Sequence, residues 1–114
     1  MSQAGSTIGS SSPIPGALDY NYTLVNTSPY VIAGSDAFLG VDSSSIAITI
    51  ELPDAPSTGR VYIIKDIAGN AAANNITVTT VGGTVLIDAA TSENMNASYE
   101  SLQFLFDGTE YHIF

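Results

Sequence analysis

His112 is the sole imidazole in the chain, so any Ser-His-Asp relay or histidine-ligated metal centre would have to be built around it. No G-x-S-x-G elbow accompanies it; Ser10–Ser12 and Ser43–Ser45 read as turns. His112 is therefore read as an exposed or interface-rim histidine. Asp36, Asp42, Glu51, Asp88 and Glu110 could in principle supply the carboxylate pair of a glycosidase, but nothing in their spacing selects two of them. Scattered Asp and Asn oxygens suit calcium, yet the chain has no D-x-[DN]-x-[DN]-G loop. GNAAANN, at 69–75, has one Gly and no Lys where a phosphate cradle needs it. The sequence thus assigns no catalytic, cofactor or metal residue, and the chain is expected not to be an enzyme.

Other side chains point to recognition. Tyr20, Tyr22 and Tyr30 crowd into the first strands, where aromatic rings could stack on sugars or anchor a protein interface; strand propensity explains them equally well. Lys65, beside Asp66 at a strand end, is expected to pair with an acid, within the chain or across a subunit boundary. The Asn-x-Ser/Thr triplets beginning at Asn21, Asn26, Asn75 and Asn96 would accept glycans only in a secretory pathway, and the amino terminus has no secretory signal.

The elements that must position these residues are strands. From Tyr20 onward apolar residues recur with period two, broken by Pro, Gly, Asn and Ser, and no helical period competes. Ile46, Ile48, Ile50 and Leu52 point one way and Ala47, Thr49 and Glu51 the other. Val61–Ile64 is apolar on both sides, as in a strand covered by a second sheet or a neighbouring subunit. Strands are also expected at 21–25, 30–33, 37–41 and 96–99.

Gly82-Gly83 predicts a two-residue hairpin that sets Val78 opposite Ile87 and Ile76 opposite Ala89. Asp107-Gly108 predicts another, pairing Phe106 with Thr109, Phe104 with Tyr111 and Leu102 with Ile113. Its opposite face receives Gln103, Leu105, Glu110 and His112. Eight or nine strands in two packed antiparallel sheets follow, an all-β sandwich with jelly-roll wiring as one option; a single sheet rolled into a barrel is the alternative.

The 114 residues fit one domain. Residues 1–17, rich in Ser, Gly and Pro, read as a flexible linker or stalk end, and 18–114 as the folded head. A net charge of −9, with only Arg60 and Lys65 as cations, argues against nucleic acid and anionic membranes as partners. No apolar run approaches the ~20 residues of a spanning helix. Cysteine is absent, so disulfides and thiolate chemistry are excluded.

PDAPSTG at 53–59, GRVYIIKDIAGNAAANNITV at 59–78 and the DGTEYHI ending at 107–113 together resemble the globular heads that finish bacteriophage and other viral tail or capsid fibres. The resemblance spans roughly residues 46–114 and rests on strands and turns. It implies a virion-surface homotrimer that attaches to a host-cell receptor, a glycan among the candidates. The alternative is a structural decoration or trimerisation module at a fibre tip, without receptor binding. The receptor-contacting residues are left unassigned.

Overall fold

A computed structural model describes residues 18–114; the linker expected at 1–17 lies outside the described residues. Nine strands form two sheets, and the described residues include no helix: β1 (Tyr22–Val25), β2 (Tyr30–Val31), β3 (Phe38–Val41), β4 (Ile48–Leu52), β5 (Val61–Asp66), β6 (Ile76–Thr80), β7 (Ser92–Met95), β8 (Ser101–Phe106) and β9 (Tyr111–Ile113). One sheet has the order β1-β3-β5-β8-β9, the other β2-β4-β6-β7. The expected all-β sandwich stands.

Strand direction differs from the expectation. Through β6 the chain alternates between the sheets, so β1, β3 and β5 run parallel in one and β2, β4 and β6 parallel in the other. The result is a stack of three two-strand rungs rather than an antiparallel jelly roll. Antiparallel pairing is confined to the end, where β7 joins β6, β8 joins β5 and β9 joins β8. The physical reason lies in the connections: those up to β6 pass to the opposite sheet instead of reversing beside the strand they leave.

Alternation supplies the core. Leu39, Val41, Tyr62, Ile64, Phe104 and Phe106 point inward from the five-stranded sheet. They meet Ile48, Ile50, Leu52, Ile76 and Val78 from the other, all part of one buried cluster. Each such side chain contributes about 1.5–3 kcal/mol by leaving water. Ile46, expected on the core face, is exposed because β4 starts only at Ile48. Within the chain the second sheet covers one side of Val61–Ile64: Tyr62 and Ile64 are buried, and Val61 and Ile63 are half-buried on the outer side.

The two expected hairpins fare differently. The chain does turn at Gly83, whose N–H bonds the Thr80 carbonyl, but it does not fold back on β6. Val81 N–H bonds the Leu52 carbonyl and Gly82 N–H bonds Asp54 Oδ1, holding the chain against the β4 end. β7 takes the place beside β6, with Met95 opposite Ile76, while Ile87 enters the core and bridges Tyr111. The strand expected at 96–99 is a turn, in which Tyr99 has a φ of 64°.

At Asp107-Gly108 the hairpin forms with a four-residue loop, so Phe106 pairs with Tyr111 and Phe104 with Ile113. Asp107 Oδ1 accepts from the N–H groups of Thr109 (2.8 Å) and Glu110 (2.9 Å), and that Asx geometry enlarges the loop. The resulting two-residue shift preserves the faces, because strands repeat every two residues.

Candidate interaction surface

Two buried carboxylates pin the rungs at opposite ends. Asp66, 0% exposed, accepts from the N–H groups of Tyr99 (2.9 Å), Ala71 (3.0 Å) and Gly69 (3.0 Å), and more distantly from Asn70 (3.4 Å). Burial alone would raise its pKa, but these donors outweigh burial and hold it below the usual carboxylate range. The loop Ile67–Asn75, open to a recognition reading in the sequence, is thereby shaped from within: Asn74 Nδ2 donates to the Ser43 carbonyl and Asn75 Nδ2 to the Ala71 carbonyl.

At the other end Asp36 accepts from Thr23 Oγ1 and the Tyr30 hydroxyl, both at 2.7 Å, and from Ala33 N–H at 2.8 Å. Burial works against the Asp36 charge, yet these bonds keep its pKa below the ordinary value. The hydrogen bond to Asp36, then burial and the Asp36 charge, push the Tyr30 phenol up to about 12. Arg60 donates to the carbonyls of Gly34 and Asp36 and stacks 4.6 Å from the Tyr62 ring centre. Tyr30 is accordingly structural.

His112 lies outside the five-stranded sheet, opposite Leu105, with Nε2 2.6 Å from Asp107 Oδ2 and Nδ1 3.8 Å from Asp88 Oδ1. The hydrogen bond to Asp107 raises its pKa. In turn, N–H donation from Glu110, then the His112 bond, lowers Asp107 to about 2. His112, Asp107 and Asp88 are exposed and Glu110 is half-buried, so the structure brings Asp88 and Glu110 near His112 only as a solvated charge cluster at the β9 margin. Because the folded His112 value is raised, the stability this cluster contributes is present below about pH 6.5 and lost as pH rises through the folded value. Thermal melts from pH 5 to 9 should show a small stability loss over that window in the wild type and none in His112→Gln.

Asp42 caps its own turn by accepting from Ser44 N–H, and Glu51 stands half-buried outside β4. Lys65, expected to meet an acid, instead donates to the Tyr99 carbonyl, with its ammonium 5.6 Å from the Tyr99 ring centre. Neighbouring Ser43, 0% exposed, carries a buried hydroxyl with no partner. Ser43→Ala should therefore be neutral or stabilising by up to about 1 kcal/mol in urea titrations.

The outer faces of the two sheets are chemically unlike. Outside the four-stranded sheet one row reads Thr49, Thr77, Asn94 and the next Val31, Glu51, Thr79, Ser92. This face is rich in hydroxyls and carries a carboxylate. Outside the five-stranded sheet the rows read Tyr22, Phe38, Ile63, Gln103; then Leu24, Gly40, Lys65, Ser101; and Val61, Leu105, His112. No Asp or Glu occupies any of these positions, although the chain holds eleven acids.

The ring positions on that face depend on Gly40. Tyr22 lies across it, so a Cβ there would fall inside the ring's van der Waals contact. Phe38 is flanked by Tyr22, 5.8 Å between ring centres, and Tyr20, 6.3 Å. Two of the three tyrosines singled out in the sequence thus share one aromatic cluster. The period-two pattern marks the outward positions, but only the sheet order brings them into a single surface. Comparison with family models and with curated proteins returns no match to this chain.

Proposed function

We propose that this chain is the head domain of a viral tail or capsid fibre, a homotrimer at the virion surface that attaches to a host-cell receptor and performs no catalysis. One observation carries the reading beside the motif resemblance: the stack of rungs has two unlike ends. At the first rung the edge strands β1 and β2 run parallel to their neighbours; at the other end the edge strands β9 and β7 run antiparallel to theirs. A stack that begins with parallel rungs and closes with antiparallel strands, which do not continue the repeat, suits a module that terminates a fibre. The hydroxyl-rich face outside the four-stranded sheet offers hydrogen-bonding groups to a glycan receptor.

The test is saturable binding of fluorescently labelled full chain to susceptible host cells, with competition against adsorption of the parent virion. Binding that saturates and competes is the expected result. A chain that neither binds nor competes would leave the structural fibre-tip module as the function.

A further inference from the structure

We propose that the outer face of the five-stranded sheet is where copies of this chain meet, seated on Tyr22, Leu24, Phe38 and Ile63 and extended by Tyr20 and Phe114. The proposal rests on the self-assembly part of the reading above and assigns it a surface. Charge selects a second copy as the occupant. Each chain carries −9, so two copies repel unless they touch where acids are absent, and this face has none at its outward register positions. Asp88, Asp107 and Glu110 gather around His112 at the β9 margin, and exposed Asp19 precedes Tyr20 at the β1 margin.

Composition agrees. Interface centres are enriched in Tyr and Phe and depleted of charge, as this face is. Leu24 is 54% exposed and Phe114 62%; Phe114 N–H bonds the Gln103 carbonyl, and alternation places its ring on the side of His112. Tyr20 and Tyr22 are comparably exposed.

Size sets the strength. Five strands about 4.8 Å apart and three to six residues long give a footprint on the order of 400 Å², within the range of the largest apolar patch of an ordinary monomer. That falls short of the ~800 Å² per partner of a standard interface, so Tyr20 and Phe114 must join the contact. The association is then expected near the micromolar range.

Sedimentation velocity of the full chain over roughly 1–200 µM, at low and high salt, tests this with three variants. Leu24→Glu and Phe114→Glu place an acid on exposed positions of the face and should each raise the association midpoint about tenfold or more. Val81→Glu does the same at an exposed apolar position in the β6–β7 connection and should leave it within about twofold. Far-ultraviolet dichroism and melting of each variant confirm that the fold is retained.

Wild type that assembles while both face variants assemble equally well would overturn the face assignment and leave self-assembly standing. Wild type of single-chain mass throughout would overturn both. If that monomer binds host cells and the face variants do not, the face is the receptor site, which also overturns the proposal.

Discussion

Asp66→Ala is expected to cost about 3 kcal/mol or more of folding stability, one of the two largest losses from any single substitution considered. The side chain is fully buried, and its removal leaves the N–H groups of Gly69, Asn70, Ala71 and Tyr99 without an acceptor. Each buried orphan costs about 1–3 kcal/mol, moderated where the loop can relax toward water. Asp66→Asn keeps one acceptor oxygen and should lose about half as much. Urea titration gives the global effect, and amide exchange should accelerate first at Gly69–Ala71 and Tyr99.

Acid provides an independent check. The folded Asp66 value is depressed, so its contribution is present above the unfolded value of about 3.9 and lost as pH falls through the folded one. Asp36 behaves alike at the opposite end. Wild-type stability should therefore decline below about pH 4, and Asp66→Asn should flatten part of that decline.

The second large effect belongs to Tyr111. Its buried ring lies 5.1 Å from Phe106 and 6.4 Å from Tyr62, and its hydroxyl donates to the Pro53 carbonyl at 2.6 Å. Its backbone also bonds Leu86 and Asp88, tying the β6–β7 connection to β9. Tyr111→Ala opens a cavity and should cost about 3–5 kcal/mol, whereas Tyr111→Phe loses only the hydroxyl bond, about 1 kcal/mol. Chemical denaturation separates the two, and exchange at Ile87 and Asp88 should rise in the Ala variant well before exchange in β4. Equal losses for Phe and Ala would mean that the hydrogen bond, not the ring, holds this region.

Period-two alternation made the inward residues of β4, β6 and β8 legible from sequence, because burial on one face is a local pattern, whereas Val61–Ile64 of β5 is apolar on both faces and left its inward side unmarked. Strand direction was not, because nothing in a four- to six-residue strand says which way its neighbour runs. The rungs also hide as repeats. Register joins Tyr22 to Phe38 and then Phe38 to Ile63, and in the other sheet Tyr30 to Ile50 and Ile48 to Ile76. These separations are unequal, so no fixed period marks the coil.

Gly82-Gly83 carried a hairpin signal that tertiary contacts overrode through Asp54, Leu52 and Ile87. The carboxylates that organise the corners were harder still. Asp66 and Asp36 read as ordinary strand-end and turn acids, and their donors come from Tyr99, Thr23 and Tyr30, some of them distant in sequence. Asp66 does precede Gly69 by three residues, which is the one local hint of a side chain folding back on its own loop. For the surface, the sequence marked Tyr20 and Tyr22; the parallel order β1-β3-β5 is what places Phe38 and Ile63 beside them.

Light scattering on the purified full chain across ionic strength tests the fibre-head account most directly. The account predicts the mass of three chains, with the trimer more complete at high salt because screening relieves the repulsion among chains of charge −9. The mass of one chain at every salt concentration would contradict it.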